Sequence, residues 1–200
     1  MEMEVYRKPH HDFVHYGTFA LIPCAPAADR EADRQAAQEV TNLVAERLIK
    51  KHYGCMDPDA SSAKLHEAGL QANGASDTDT LRKVAAILGV QAVLTGDVVF
   101  YGPYDYHVPP DRVPYTYFDA GYDWYGYPYT RRRRGYYYEP GYTATGSRAN
   151  LKLKLFDADL GAYVWWATGD RSGKERIPQR YAEMVIKKAL EKLPVKPHKH

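Results

Sequence analysis

The residue types able to do chemistry are few in this chain and scattered. His10, His11 and His15 fall close enough together to share a metal ion. No cysteine stands near them, so a solvated arm is expected instead. His198 and His200 belong to a polar tail and carry less signal still. Asp157 and Asp159 form a carboxylate pair. In the run Asp157-Ala158-Asp159-Leu160-Gly161, however, aspartate is expected for its hydrogen bonds to the turn backbone. Asp97 follows Gly96 inside an apolar run, a place where a catalytic carboxylate can sit. No partner His, Ser or Lys constellation is identifiable beside it. No glycine loop of the P-loop or dinucleotide type occurs. Cys24 and Cys55 are too few for a disulfide framework and lack metal spacing. Two buried or half-buried thiols are expected. On parallel first and second strands the two would lie at opposite ends, which argues against pairing. The expectation is a protein that is not an enzyme, with no catalytic residues, no cofactor and no metal.

The unusual chemistry lies elsewhere. Thirteen of the 18 tyrosines fall between Tyr101 and Tyr142, and four arginines run consecutively from Arg131 to Arg134. Three readings of this segment stay open. The first is a long Ω-like surface insertion lying on its own aromatics, because Pro, Gly and Tyr together rarely build regular structure. The second is a partner-binding surface. Its residues would be Tyr115, Tyr117, Tyr122, Trp124, Tyr125, Tyr127, Tyr129, Arg131, Arg132, Arg133, Arg134, Tyr136, Tyr137 and Tyr138. Tyr and Trp offer large contact area at low entropy cost, and Arg adds planar bidentate donors. A protein, a glycan strand or an anionic lipid surface would suit such a patch. The third reading is nucleic acid, with rings stacking on bases and guanidiniums meeting phosphates. Against it, Arg112 and Arg131 to Arg134 are matched one for one by Asp105, Asp111, Asp119, Asp123 and Glu139. The formal net charge of the whole chain is only +2, which offers no general basic field either.

The elements that must carry this segment are legible from apolar periodicity. Phe19 to Ile22 is a short buried strand closed by Pro23. A helix follows, with Asp29 as its expected N-cap, Ala36, Val40, Leu43, Val44 and Leu48 on its apolar face, and Gly54 as its stop. A short strand is expected within 53–57, a short helix over 61–68 capped by Ser61, and a loop over 71–76. Ser76 or Asp77 caps a further helix with Leu81, Val84, Ala85 and Leu88 inward, ended by Gly89. Residues 90–101 make a central strand. Beyond the segment, Leu151, Leu153 and Leu155 alternate with Lys152 and Lys154, predicting a half-buried strand with its lysines in water. A turn at Gly161 leads to a return strand through Trp165 and Trp166. Pro178 opens a last helix. The class is α/β: a mixed sheet of about five strands with helices packed on it, ordered β-α-β-α-β, insertion, β-β-α. The expected layout is an N-terminal arm over 1–16 and a single domain over 17–200, with the insertion at about 102–147. No apolar run approaches the roughly 20 residues of a membrane helix, and residues 1–13 show no leader core.

Four stretches resemble a group of bacterial envelope lipoprotein domains. The group includes the curli-secretion lipoprotein CsgG, the TolB N-terminal domain and the lipoprotein activator of penicillin-binding proteins. Residues 18–23 (TFALIP) are similar to the group's opening strand ending in proline. Residues 81–96 (LRKVAAILGVQAVLTG) are similar to its helix and following strand. Residues 151–165 (LKLKLFDADLGAYVW) resemble its aspartate-glycine hairpin, and residues 177–193 stand where its closing helix falls. The resemblance implies an anticodon-binding-like sheet. It also implies a periplasmic, outer-membrane-anchored protein acting as an accessory, assembly or binding factor, whose signal and lipid anchor lie outside this sequence. Its partner would be an envelope protein or glycan, with homo-oligomers among relatives. A cytoplasmic nucleic-acid-binding module is the alternative. Cys24-Ala25-Pro26 departs from the group's usual loop after the first proline, and the insertion matches nothing in it. The group's channel inserts amphipathic hairpins into the membrane. Here Pro103, Pro109, Pro110, Pro114, Pro128 and Pro140 interrupt the segment and aliphatics are nearly absent, which argues against a pore.

Overall fold

The computed structural model describes residues 2–13, 16, 18–28, 30–56, 58–70 and 77–195, leaving aside the side chains of residues 58 and 59. The chain divides into two compact units. The first is Met1–Tyr104 with Gly146–His200, and the second is Asp105–Thr145.

In the first unit the strands are β1 (Glu2–Arg7), β2 (Phe19–Leu21), β3 (Cys55–Met56), β4 (Ala92–Val108), β7 (Tyr142–Asp157) and β8 (Ala162–Gly173). The strand bounds of β4 and β7 extend past the unit boundary. Between them in the chain come β5 (Asp111–Tyr122) and β6 (Pro128–Glu139) of the second unit. The helices among the described residues are α1 (Glu31–Lys50), α2 (Pro58–Glu67), α3 (Thr78–Leu88) and α4 (Pro178–Glu191). The sheet runs β1-β8-β7-β4-β2-β3. β2 is parallel to β3 and β4, whereas β8 is antiparallel to β7 and β1. The mixed α/β class is therefore as expected. The sheet has one strand more than expected, because residues 2–7 of the polar arm form edge strand β1.

The alternation of β2 and β4 divides two cores. Phe19, Leu21, Ala92 and Leu94 face Val40, Val44 and Leu48 of α1 and Val185, Ile186 and Leu190 of α4. Ala20, Ile22 and Val93 face Leu65 of α2 and Leu81, Val84 and Leu88 of α3. A strand buried on both faces must be apolar at every position, which is why β2 reads as an unbroken run. Trp165 of β8 is fully buried in the first core, where a side chain of that size contributes about 1.5–3 kcal/mol or more.

Several local expectations are corrected. Asp29 lies outside the described residues, and Arg30 takes the N-cap position of α1 without a capping side chain. α1 stops at Lys51 and His52 rather than Gly54. His52 adopts φ 55°, a left-handed conformation that histidine tolerates better than most residues. Ser61 is buried inside α2 and does not cap it. The expected loop over 71–76 lies outside the described residues. As expected, by contrast, Asp77 caps α3 by accepting from Thr80 N at 2.8 Å, and Gly89 closes it at φ 68°. Val195 is buried rather than part of a solvated tail.

The second unit overturns the expectation of irregular structure. β5 and β6 pair antiparallel over their full lengths, from Asp111 opposite Glu139 to Tyr122 opposite Pro128. Proline removes a ladder hydrogen bond, which forbids it in a central strand. Pro114 and Pro128 are tolerated because both strands of a two-stranded ribbon are edges.

Candidate binding surface

The turn of the hairpin is built by Asp123. Its Oδ1 accepts from Tyr125 N at 2.9 Å and from Tyr127 N at 2.8 Å. Its backbone N–H donates to Tyr127 O at 2.8 Å, and Gly126, at φ 82°, donates to Asp123 O at 3.0 Å. An aspartate side chain that substitutes for backbone acceptors in this way fixes a tight turn. The turn therefore holds Trp124, Tyr125 and Tyr127 outward, and Trp124 is 96% exposed.

Side chains on a strand alternate between faces, so the register assigns every residue of the ribbon. One face carries Tyr115, Tyr117 and Asp119 from β5 with Tyr129, Arg131, Arg133 and Tyr137 from β6. This face packs on itself. Tyr115 lies 5.7 Å from Tyr117 and 6.2 Å from Tyr137, ring to ring. Arg133 pairs with Asp119 at 3.0 Å, and the Arg131 guanidinium sits 4.7 Å over the Tyr129 ring. Two glycines make room for this packing. Gly135 stands opposite Tyr115, and a Cβ on it would meet the ring at 2.8 Å. Gly121 stands opposite Tyr129, where a Cβ would meet it at 2.9 Å. Covering a strand glycine with a cross-strand aromatic ring restores the contact that the missing side chain would have made.

The other face is different in kind. It carries Arg112, Pro114, Thr116, Phe118, Ala120 and Tyr122 from β5, facing Tyr138, Tyr136, Arg134, Arg132, Thr130 and Pro128 from β6. Phe118 is 70% exposed and Tyr122 76%, against 45% and 40% for Tyr115 and Tyr117. Among the described residues no carboxylate stands on this face and none pairs with its three arginines. The one-for-one charge balance read from the sequence is thus a balance between faces. The acids of the ribbon strands, Asp111, Asp119 and Glu139, all fall on the self-packed side.

The fourteen residues expected to bind a partner are therefore on one hairpin, but in three groups. Tyr115, Tyr117, Tyr129, Arg131, Arg133 and Tyr137 are engaged with each other or with that face. Tyr122, Arg132, Arg134, Tyr136 and Tyr138 lie on the open face. Trp124, Tyr125 and Tyr127 form the turn. Sequence reasoning missed Arg112 and Phe118, which complete the open face. Counting back by twos from Tyr122, the last residue of β5, would have found both.

The remaining chemistry-bearing residues are occupied structurally. His11 is not solvated. Its Nε2 lies 2.6 Å from Tyr16 Oη, and its ring packs edge-on against Phe13. Tyr16 in turn donates to Asp157 Oδ2. Burial, then the bond to Asp157, holds the Tyr16 phenol well above its ordinary range. The other oxygen of Asp157 accepts from Leu160 N at 2.8 Å, as a turn aspartate should. His15 lies outside the described residues.

Lys154, expected in water, is buried, and its Nζ donates to Asp97 at 2.8 Å. The ammonium also stands 5.2 Å over the Tyr163 ring. Burial, then the carboxylates of Asp97 and Asp77, pushes the Tyr163 phenol up to about 12. Cys24 and Cys55 are thiols, not a disulfide. Burial pushes Cys24 up to about 11, which disfavours the reactive thiolate. Among the described residues no cluster of His, Cys, Asp and Glu could hold a metal, and no helix is long and apolar enough to cross a membrane.

Fold and surface together define a mixed α/β domain from whose sheet strands an aromatic, arginine-bearing β-ribbon is inserted. The chain belongs to the DUF4136 family, a domain of unknown function, whose model matches residues 4–195. No curated protein matches it. Its fold is shared by solved structures, among them the two that follow. A PelC dodecamer from Paraburkholderia phytofirmans is 16% identical, with a TM-score of 0.53 over 98% of both chains. Lipoprotein GNA1162 from Neisseria meningitidis is 13% identical, with a TM-score of 0.51 over 88% of this chain and 97% of that one.

Proposed function

We propose that this chain is a non-catalytic domain of the bacterial cell envelope, an accessory or assembly factor that binds its partner through the 105–145 ribbon. One observation carries the reading. The ribbon holds a regular backbone, yet leaves one face and its turn, rich in Tyr, Phe, Trp and Arg, largely exposed. Large exposed aromatics beside arginine are the composition of binding hot spots. The envelope setting is supported by the fold shared with a structure described as a lipoprotein, and self-assembly by the one described as a dodecamer. In this reading the full-length product is lipid-anchored at the outer membrane, and the six-stranded body is the anticodon-binding-like scaffold that carries the ribbon. The Asp97–Lys154 and His11–Tyr16–Asp157 groups hold the body together and do no chemistry.

The test is location. The full-length gene product is expressed in its source cells, labelled with palmitate and fractionated. Label recovered in the outer-membrane fraction is the expected result. A soluble, unlabelled cytoplasmic product overturns the reading.

A further inference from the structure

We infer that the open face and turn of the β5–β6 ribbon dock on an anionic lipid surface; this rests on the ribbon being the binding element, as proposed above. The first argument is charge. Arg112, Arg132 and Arg134 share a face from which every carboxylate is absent among the described residues. Arg112 stands opposite Tyr138 and Arg132 opposite Phe118, so two of the three cations face an exposed ring across the ribbon, whereas Arg134 faces Thr116. A face of this kind seeks negative charge and amphipathic contact together.

The second argument is the order of residues along the ribbon. From Tyr122 to Thr130 there is no cation. The outward rings there are Tyr122, Trp124, Tyr125 and Tyr127, while Tyr129 lies on the self-packed face under Arg131, and the single charge is Asp123. One oxygen of that carboxylate already accepts two backbone amides of the turn. The arginines of the open face begin only behind this tip, at Arg132. A polyanionic strand, nucleic acid or acidic glycan, would call for cations among the rings of the tip as well as along the open face. A membrane interface calls for the sequence seen here, with Trp and Tyr at the leading end and guanidiniums behind to meet phosphates. Neither face of the ribbon is free of arginine, so the ribbon can lie at the headgroup level but does not offer the apolar face of a lipid-spanning strand.

Co-sedimentation of the full chain tests this. Two vesicle preparations are used, phosphatidylcholine alone and phosphatidylcholine with about 30% phosphatidylglycerol. Binding to the anionic vesicles only, weakened by added salt, is expected. At about fivefold per arginine near an anionic surface, the R112Q/R132Q/R134Q variant should lose roughly a hundredfold in affinity. The R131Q/R133Q variant, altered on the self-packed face where Arg133 is already paired with Asp119, should lose no more than about tenfold. A blue shift of tryptophan emission on binding, absent from Trp124→Phe, places the turn at the interface. All substituted side chains are exposed, and circular dichroism checks that each variant folds.

The inference is overturned by equal losses from the two arginine variants, or by equal binding to both vesicle types. No binding at low salt, or tighter binding to a single-stranded oligonucleotide than to vesicles, overturns it too. Failure here with palmitate label intact removes the lipid-docking inference and leaves the envelope reading standing. Vesicle binding by a product that proves unlabelled and cytoplasmic does the reverse.

Discussion

Asp97 of β4 and Lys154 of β7 meet at 2.8 Å on neighbouring strands. Lys154 is nearly out of water, while Asp97 keeps about a third of its surface, at 32%. Breaking such a pair strands the buried member, and a stranded ammonium costs more than the pair contributes. Asp97→Ala should therefore destabilise the first unit by about 3 kcal/mol in urea unfolding. Adding Lys154→Met should recover most of that loss, because no charge is then left buried alone. A double variant as unstable as the sum of the two single ones would refute the account. The pair also explains why the carboxylate at Asp97 looked isolated in sequence. Its partner lies 57 residues away, and no local spacing announces it. The same holds for His11, Tyr16 and Asp157, a group that ties the N-terminal segment to the β7–β8 turn across 141 residues of chain.

At the scale of the element, the ribbon is stabilised by its self-packed face. Tyr115 over Gly135 and Tyr129 over Gly121 are cross-strand pairs, and such pairs contribute about 0.5–1 kcal/mol each. Tyr115→Ala should thus raise amide hydrogen exchange through β5 and β6 about two- to fivefold and leave the first unit unchanged. Exchange that stays at the wild-type rate would mean the rings are ornaments on a ladder held otherwise. The twelve-residue strands were not legible as strands. Proline, glycine and consecutive arginines all lower strand propensity. What rescues them is pairing in register on a ribbon that has only edges, a property of the pair and absent from either half.

At the scale of the molecule, the two cores of the first unit are composed of its own residues. Asp105 and Thr145, at the two ends of the second unit, are joined by a hydrogen bond of 2.7 Å, so a short turn can close the gap. Replacing residues 105–145 by Asn-Gly should leave one cooperative unfolding transition with its midpoint little changed. Loss of cooperative unfolding would show that the ribbon is part of the folding unit. Most of the body was legible because its helices and central strands announce themselves by period. Leu81, Val84, Ala85 and Leu88 on α3 and the unbroken run at β2 are such signals. Edge strand β1 was not, since Glu2–Arg7 is polar, lies at the sheet margin and is specified by its partner β8.

The sequence by itself determined the mixed α/β class, the periodic helices and buried strands of the body, and the place where the chemistry of the insertion is concentrated. Burial is periodic, and periodicity is local information. Only the tertiary structure decided which side chains share a face. Pairing β5 with β6 sorts Asp111, Asp119 and Glu139 to one side and leaves Arg112, Arg132 and Arg134 with Phe118, Tyr136 and Tyr138 on the other. A segment balanced in composition thereby becomes a ribbon with one cationic, aromatic face, because charge acts through space and the sequence lists it only along the chain.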